Sequence, residues 1–313
     1  MSTANRDYFV QVVMTEREQI TVSEKGLMVL APAKINLSLL VSGKREDGYH
    51  NIETIMAKLN WYDEVVIERT QKAGIELVCR GPRWSPEGKE NIVYKACSKL
   101  LEYCGRNEGV RIVLKKNIPA GSGLGSGSSD AAATLIGVNR LFGLGMGKEK
   151  LAEIALQLGS DVPFFLNGPL ALCSGRGEKI KKFGIKFDFL ALLVLPDISI
   201  STKMVYENYK HDESLYRSIS EKINLFIEKK RIDLIAKMCA NMLQTSCYAL
   251  NERLKELKER IESLIGERIC LSGSGSSMFC LMKRQQEDKA EISKHKISEI
   301  IGCESIVFKN NRW

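Results

Sequence analysis

The stretch from Pro119 to Asn139, PAGSGLGSGSSDAAATLIGVN, places a run of glycines and serines directly before an alanine-rich apolar segment. Four glycines and four serines fill eight of the nine positions from Gly121 to Ser129. The preceding segment, VRIVLKKNIP, is typical of a strand, and the spacing of apolar residues predicts a helix over Ala131–Phe142. The sequence therefore predicts a strand, a glycine loop and a helix in direct succession.

This loop has the chemistry of a phosphate-binding site. Glycines carry no side chains, so several backbone N–H groups can converge on one anion, and the start of a helix adds unpaired N–H groups and the positive end of its dipole. Ser128, Ser129 or Asp130 is expected to cap the helix, and Gly143 to end it. A flexible linker is the alternative. Because a linker does not usually separate a strand from a helix so directly, we favour a phosphate cradle.

The loop does not match the familiar nucleotide-binding motifs. A Walker A loop requires a lysine after its glycines, and none follows here. The dinucleotide fingerprint G-x-G-x-x-G requires glycine at its sixth position, where Ser126 or Ser128 stands. The three histidines, His50, His211 and His295, belong to no H-R-D motif, which argues against a protein kinase.

Length and composition favour a globular protein of two domains. The chain has 313 residues, of which 44% are hydrophobic and 27% charged. No apolar run approaches the roughly 20 residues of a membrane span, so we expect no membrane partner. The net charge of +8 is dispersed in short basic pairs, which favours a solvated surface or phosphate-bearing ligands over nucleic acid.

The nine cysteines predict a reducing, cytoplasmic location. None forms a C-x-x-C pair, so neither a disulfide framework nor a zinc site is expected. Cys97, Cys239 and Cys280 lie in apolar runs and are predicted to pack in the core. The first residues carry acidic side chains and lack an apolar run, which argues against a secretory signal or a transit peptide.

The order of predicted elements indicates an α+β fold. Strand-like segments dominate before the glycine loop: LMVLAPAKINLSLLVSG is predicted as two strands with a kink at its proline, and DEVVIERT and GIELVCR as a hairpin. FLALLVLP, RICLSGSGSSMFCLMK and ESIVF predict further strands, separated by helices. The composition changes near 167–176. We therefore expect an N-terminal extension over 1–25, one domain over 26–170 and a second over 171–313.

Three separated motifs resemble those of the GHMP kinases, the small-molecule kinases for galactose, homoserine, mevalonate and phosphomevalonate. PAGSGLGSGSSDAA (119–132) resembles their phosphate loop, APAKINLSLLVSGKREDGYHNIETIM (31–56) an N-terminal motif, and LSGSGSSMFCLM (271–282) a C-terminal glycine motif. The resemblance covers about residues 28–310. It implies a two-domain GHMP kinase fold, with an N-terminal ribosomal-protein-S5-domain-2-like domain, a C-terminal ferredoxin-like α/β domain and the active site in the cleft between them.

The DGYH turn and LGSDVPFFL (158–166) are characteristic of one branch of this family. That branch transfers the γ-phosphoryl group of ATP, with Mg²⁺ as cofactor, to the C2 hydroxyl of cytidylyl-methylerythritol in the non-mevalonate route to isoprenoid precursors. The resemblance therefore implies ATP and a small cytidylyl alcohol as ligands. The alternatives are a homoserine- or mevalonate-type kinase and a nucleotide-binding relative without catalysis. The oligomeric state stays open.

Two charged residues form the predicted catalytic pair. Asp161 follows a predicted helix end, and Lys34 interrupts an apolar, strand-like region. From the residues alone, Asp161 fits a local cap before Pro163, and Lys34 fits an edge lysine whose ammonium reaches solvent. The resemblance instead makes Asp161 the catalytic aspartate, which receives or orients the hydroxyl proton, and Lys34 the partner that keeps it ionised.

The resemblance also implies the binding residues. The substrate-binding set is Asn36, Tyr49, His50, Thr202, Tyr206, Gly273, Ser274 and Gly275. In that set His50 contacts the cytosine edge, an aromatic ring at Tyr206 stacks on the base, and Asn36 shares a strand face with Lys34. The ATP-binding set is Pro119, Ala120, Gly121, Ser122, Gly123, Leu124, Gly125, Ser126, Gly127, Ser128 and Ser129. The magnesium ligand is left open among the serines at 126, 128 and 129.

The loop departs from the family pattern at two positions. Ser122 and Ser126 stand where the family usually has glycine. Serine allows a close approach of the backbone if φ is negative at these positions. If φ must be positive there, we expect a loss of affinity for ATP.

Overall fold

The computed structural model of the chain describes residues 19–24, 26–184 and 187–313. Most of the predicted extension, residues 1–18, lies outside the described residues. Within the remainder, Ile20–Val22 forms strand β1, which pairs antiparallel with strand β2, Gly26–Lys44. The end of the predicted extension is thus an edge strand of the first sheet.

Within the described ranges, the first sheet contains seven strands. They are β1 (Ile20–Val22), β2 (Gly26–Lys44), β3 (His50–Thr70), β4 (Gly74–Arg80), β5 (Gly109–Lys115), β6 (Leu170–Gly175) and β7 (Lys179–Lys182). Their order is β1-β2-β3-β5-β4, and β6 pairs with both β3 and β7. Strand β6 begins at Leu170 and β7 ends at Lys182, so this sheet continues past the predicted domain boundary.

Strand β2 is continuous, whereas the sequence predicted two strands. Its pairing with β3 shifts register between Pro32 and Lys34 and again between Asn36 and Ser38. Proline has no N–H to donate to the ladder, and a bulge accommodates it without ending the strand. The proline therefore marks an irregularity inside one strand.

The predicted hairpin of DEVVIERT and GIELVCR is wrong. The first segment lies in β3 and pairs antiparallel with β5, and the second is β4, which pairs parallel with β5. Strand β5 therefore lies between the two segments in the sheet. The short turn between them is a local signal, whereas the position of β5 depends on contacts that are distant in sequence.

Four helices accompany this sheet. They are α1 (Ile92–Tyr103), α2 (Ser126–Leu141), α3 (Lys148–Leu158) and α4 (Val162–Phe165). Helix α2 begins at Ser126, earlier than the predicted Ala131, because Gly125 turns the chain with a left-handed φ of 69°. The predicted capping residues therefore lie inside the helix, which has no side-chain cap. Gly143, with a φ of 60°, follows its end as predicted.

Helix α2 packs closely against the first sheet. A Cβ atom on Gly137 would lie 2.3 Å from Cδ1 of Ile67 and 3.1 Å from Cδ1 of Leu27. Glycine at this position therefore permits the close approach of the helix to strands β2 and β3. This packing fixes the second half of α2 relative to the sheet.

The second sheet has four antiparallel strands. They are β8 (Leu190–Leu195), β9 (Cys270–Leu271), β10 (Met278–Met282) and β11 (Glu304–Lys309). Its helices are α5 (Thr202–Glu207), α6 (Glu213–Glu228), α7 (Ile232–Met238), α8 (Gln244–Leu250), α9 (Glu252–Ile265) and α10 (Glu287–Lys296). The strand order β11-β8-β10-β9 is the ferredoxin-like order, which confirms the predicted α+β fold class.

The two sheets share a hydrophobic core. Ala33, Ile35 and Leu37 of β2 pack in one buried cluster with Ala191 and Leu193 of β8. Strand β2 therefore belongs structurally to both halves of the molecule. Among the described residues, none of the helices is long and apolar enough to cross a bilayer.

One cysteine pair contradicts the sequence prediction. Cys97 and Cys280 are buried as predicted, but Cys239 forms a disulfide with Cys270. The two residues are 31 positions apart and follow no recognisable spacing motif. Because the two residues meet only through the tertiary fold, the sequence pattern did not indicate this bond.

A buried lysine anchors the glycine loop to the first sheet. Lys116 follows β5 and is 1% exposed. Its Nζ lies 2.5 Å from Asp63 Oδ2 and 2.8 Å from Asp130 Oδ2, and it also donates to the Ser126 hydroxyl. Burial lowers the pKa of Lys116, but the two carboxylates outweigh burial and leave the pKa raised. The lysine thus stays charged and joins β3, β5 and α2.

We expect Lys116→Met to lower the free energy of unfolding by about 3–5 kcal/mol, because it removes the cation from two buried carboxylates. The matched control is Lys115→Met, which removes an exposed lysine paired with Glu64. The control is expected to cost at most about 1 kcal/mol. Urea unfolding of both variants measures the difference. Equal losses in the free energy of unfolding would show that the buried ion pairs of Lys116 stabilise the fold no more than the exposed pair of Lys115 does.

Candidate active site

A cleft of about 1080 Å³ lies between the glycine loop and helix α5. Most of the predicted site residues line it: Lys34, Asn36, Tyr49, His50, Gly121, Ser122, Gly123, Gly125, Ser126, Gly127, Ser128, Asp161, Thr202, Tyr206, Gly273 and Ser274. The predicted residues that do not line it are Pro119, Ala120, Leu124, Ser129 and Gly275. Leu124 and Ser129 are fully buried. The cleft therefore collects segments from both halves of the chain.

The glycine loop alternates between two backbone conformations. Gly121, Gly123 and Gly125 have φ angles of 68°, 81° and 69°. Neither Ser122 nor Ser126 has a positive φ. Serine at these two positions therefore causes no backbone strain, and the expected reason for a loss of ATP affinity does not arise.

Close packing explains why glycine is needed at two positions of the loop. A Cβ atom on Gly123 would lie 2.2 Å from the carbonyl oxygen of Ser272. A Cβ atom on Gly125 would lie 2.9 Å from both Cγ of Lys34 and Cζ of Phe165. The loop is therefore held against its neighbours with no room for a side chain.

The first turn of helix α2 provides anion-binding groups. Gly125 is its N-cap, and the N–H of Ser129 makes the bond to the Gly125 carbonyl, at 2.9 Å. The N–H groups of Ser126, Gly127 and Ser128 precede that bond and have no partner within the helix. These three residues line the cleft, so the positive end of the helix dipole faces it.

Lys34 and Asp161 lie together in the cleft. The Lys34 Nζ donates to Asn36 Oδ1 at 2.6 Å and to the Gly123 carbonyl at 3.0 Å, and lies 3.6 Å from Asp161 Oδ2. Burial lowers the pKa of Lys34, and the Asp161 carboxylate opposes that shift. Asp161 occupies the N-cap position of α4, but its side chain makes no capping bond. Its carboxylate is therefore free to act in the cleft.

A short hydrogen-bond chain orients Asn36. Its Nδ2 donates to Thr54 Oγ1 at 2.8 Å, and Thr54 donates to the carbonyl of Ser38 at 2.6 Å. This arrangement turns the Asn36 carbonyl oxygen towards Lys34. Thr54 lies within the motif at 31–56, but it was not assigned a role there because its contact with Asn36 runs between two strands.

Aromatic residues gather around His50 at the opposite end of the cleft. The Tyr206 ring lies 5.9 Å from the imidazole and the Tyr209 ring 5.5 Å from it, edge-on. The Nδ1 atom of His50 lies 2.8 Å from the Ser42 carbonyl, which can only accept a hydrogen bond. Nδ1 therefore carries a proton, and Nε2 is an acceptor when the ring is neutral.

Tyr209 and His211 line the cleft but were not predicted. The Tyr209 hydroxyl donates to the Val41 carbonyl at 2.7 Å, and His211 lies 2.8 Å from a carboxylate oxygen of Glu213. The segment YKHD, which follows the predicted Tyr206, contains both residues. Because both residues lie within five positions of Tyr206, the sequence could have indicated that they belong to the same site.

The C-terminal glycine loop, at 272–277, contacts the glycine loop that precedes α2. Ser272 Oγ donates to the Gly123 carbonyl at 2.9 Å, and the Ser277 N–H donates to the Ser122 carbonyl at 3.0 Å. Thr202 and Ser274 join through their hydroxyls at 2.8 Å. The C-terminal loop therefore closes one wall of the cleft.

Family models match both halves of the chain. The model described as GHMP kinases N terminal domain matches residues 91–169, and the model described as GHMP kinases C terminal matches residues 224–298. The first match contains the glycine loop and Asp161.

Similar proteins agree with these matches. The 4-diphosphocytidyl-2-C-methyl-D-erythritol kinase of Acetivibrio thermocellus is 38% identical over 84% of this chain and 92% of its own length. The protein of the same name from Geobacter sp. (strain M21) is 37% identical over 86% of this chain and 95% of its own length.

Solved structures agree as well. A crystal structure of 4-(cytidine 5'-diphospho)-2C-methyl-D-erythritol kinase matches with a TM-score of 0.72 and 31% identity, over 91% of this chain and 100% of that one. Homoserine kinase from Cytophaga hutchinsonii has the same TM-score at 21% identity, over 93% and 97%, which shows a shared fold alone. This chain belongs to the GHMP kinase family and is an enzyme of the kinase class that uses ATP as phosphate donor.

We expect Gly125→Ala to lower kcat/KM by about 100-fold, because the added methyl group would displace the Lys34 side chain. Position 125 also has a positive φ, which alanine adopts only with strain. Gly121→Ala is the matched control, since its φ is nearly the same but a Cβ atom would meet nothing within 4 Å. Steady-state ADP release distinguishes the two variants. Equal losses would show that backbone strain, and not contact with Lys34, decides the effect.

Proposed function

We propose that this GHMP kinase transfers the γ-phosphoryl group of ATP to the C2 hydroxyl of 4-diphosphocytidyl-2-C-methyl-D-erythritol. The observation that carries the proposal is the order of groups along one cleft. The Lys34–Asp161 pair lies between the phosphate loop and the aromatic group around His50. The names of the relatives, at 35–38% identity, support the same substrate.

The glycine loop binds the phosphates of ATP. The unpaired N–H groups at the start of α2 donate to phosphate oxygens, and the helix dipole favours their negative charge. Because the loop lacks the Walker lysine, the buried cation that both contacts the loop and lines the cleft is Lys34, which donates to the Gly123 carbonyl. The loop therefore places the γ-phosphate next to the catalytic pair.

Asp161 orients the acceptor hydroxyl and receives its proton. The C2 oxygen attacks the γ-phosphorus, the bond from that phosphorus to the bridging oxygen of ADP breaks, and the proton passes to the Asp161 carboxylate. The Lys34 ammonium, 3.6 Å from that carboxylate, offsets charge on the transferring group. Asn36, fixed by Thr54, contacts the polyol from the same strand face.

The aromatic end of the cleft binds the cytidine. His50 Nε2 accepts a hydrogen bond from the cytosine amino group, since Nδ1 is bound to the Ser42 carbonyl. The rings of Tyr206 and Tyr49 provide stacking surfaces for the base. Homoserine and mevalonate carry no base, so this end of the cleft favours the cytidylyl substrate over those of the sister kinases.

Oxygen groups near the loop fit Mg²⁺, which prefers oxygen ligands and few protein contacts in phosphate sites. The Ser126 hydroxyl is bound by Lys116, and Ser129 is fully buried. Ser128 lines the cleft, so we assign it as the serine that assists the phosphates in holding the ion. The bound ion neutralises phosphate charge.

A cytoplasmic location is part of the proposal. The seven free cysteines fit a reducing compartment. The Cys239–Cys270 disulfide is not expected in a reducing compartment.

We expect Asp161→Asn to lower kcat by about 10²–10⁴-fold, since the amide cannot take up the hydroxyl proton. Affinity for ATP should be retained, because the loop is unchanged. Asp197→Asn, at an exposed aspartate outside the cleft, is the control and should leave kcat unchanged. ADP release and nucleotide titration measure both quantities. Near-normal turnover of Asp161→Asn would remove Asp161 from the chemical step.

We expect His50→Ala to raise KM for the cytidylyl substrate by about tenfold with little change in kcat, because one hydrogen bond to the base is lost. His295→Ala, at an exposed histidine of α10, is the control. ADP release is measured with the cytidylyl substrate, homoserine and mevalonate side by side. Turnover of wild-type protein with homoserine or mevalonate only would overturn the proposed substrate.

A further inference from the structure

Arg176 lies in the cleft and has no role in the function proposed above. It belongs to the turn between β6 and β7. Its guanidinium carbon lies 3.7 Å from the centroid of the Tyr49 ring, and both residues line the cleft. A cation stacked on an aromatic face is held in place while its N–H edges remain available.

The turn that carries Arg176 is fixed on both sides. Gly175 and Gly177 have φ angles of 74° and 119°, and the backbone N–H of Arg176 donates to Glu178 Oε2 at 2.6 Å. A Cβ atom on Gly177 would lie 3.2 Å from the carbonyl oxygen of Ser160. Because Ser160 directly precedes Asp161, the turn rests on the segment that carries the proposed catalytic carboxylate. Arg176 therefore connects the catalytic end of the cleft with Tyr49.

The charge of Arg176 is not neutralised within the described part of the chain. Of the lysines that line the cleft, Lys34 is 3.6 Å from Asp161 and Lys203 is 3.8 Å from Glu207, whereas Lys44, near the base-binding end, forms no ion pair with a described residue. No carboxylate among the described residues lies within ion-pair distance of the Arg176 guanidinium, which stacks instead on the face of the neutral Tyr49 ring. Its five N–H donors are thus directed to the cleft or to solvent.

We propose that Arg176 binds the diphosphate of the cytidylyl substrate and so helps to select that substrate. The inference rests on the proposed function. A diphosphate that links cytidine to a polyol must lie between the base-binding end and Asp161, which is where the β6–β7 turn lies. A guanidinium matches phosphate oxygens with two parallel hydrogen bonds, which a lysine cannot form. Alcohols without a diphosphate gain nothing from this residue.

The test compares cytidine diphosphate with cytidine. Isothermal titration calorimetry measures the dissociation constants of both ligands for wild-type protein, Arg176→Met and Arg176→Lys. Arg176→Met should weaken binding of the diphosphate by about 10- to 100-fold and leave cytidine binding unchanged, because only phosphate contacts are lost. Arg176→Lys should restore part of the affinity, since it keeps the charge but not the planar donor pair.

Lys179→Met is the matched control, because it removes one positive charge from an exposed position of the same hairpin, outside the cleft. It should bind both ligands as the wild type does. Arg176 is itself exposed, so the variants should fold, and Arg176→Lys tests the residue if the methionine variant does not.

Three results would contradict the inference. Equal weakening of both ligands by Arg176→Met would show that Arg176 only supports the Tyr49 ring. Unchanged binding of both ligands would show that it contacts neither. A similar loss in Lys179→Met would indicate a general effect of charge. Wild-type protein that binds neither ligand would instead overturn the proposed function, and with it the basis of this inference.

Discussion

The Lys34 ammonium joins three segments that are far apart in sequence. It extends from β2, donates to the Gly123 carbonyl of the glycine loop, and lies beside Asp161 at the start of α4. Burying an ammonium is costly unless its donors find acceptors, and Asn36 provides a further one. Because one ammonium contacts all three groups, it links the glycine loop, the Asp161 carboxylate and strand β2. The geometry of the cleft follows from this convergence.

The Gly123 carbonyl extends that constraint to the second half of the chain. It accepts from Lys34 and also from Ser272, which lies in the C-terminal glycine loop. The absence of a side chain at Gly123 lets the Ser272 backbone approach it. The two halves also share the core cluster that contains Ile35 of β2. The width of the cleft is therefore set by direct contacts between the loops and by a common core.

The sequence predicted those parts of the structure that depend on patterns of neighbouring residues, such as strand periodicity and runs of glycine. The strand period placed Lys34 and Asn36 on one face, and their hydrogen bond agrees with it. The glycine loop and the second sheet also followed from local patterns. The parallel pairing of β4 with β5 and the disulfide at Cys239 depend on contacts that are distant in sequence, and no local pattern encodes them. Arg176 was missed because its position depends on the turn around it and on Tyr49.

The serines of the glycine loop show that the loop is a rigid element. Residues of negative φ alternate with its glycines, and each one is anchored. Ser122 donates to the Pro119 carbonyl, Leu124 is fully buried in the shared core, and Ser126 contacts the buried Lys116. A cradle whose N–H groups are already oriented loses little entropy when phosphate binds. The glycines therefore provide close approach and left-handed turns, while the residues between them provide the rigidity that a phosphoryl-transfer site requires.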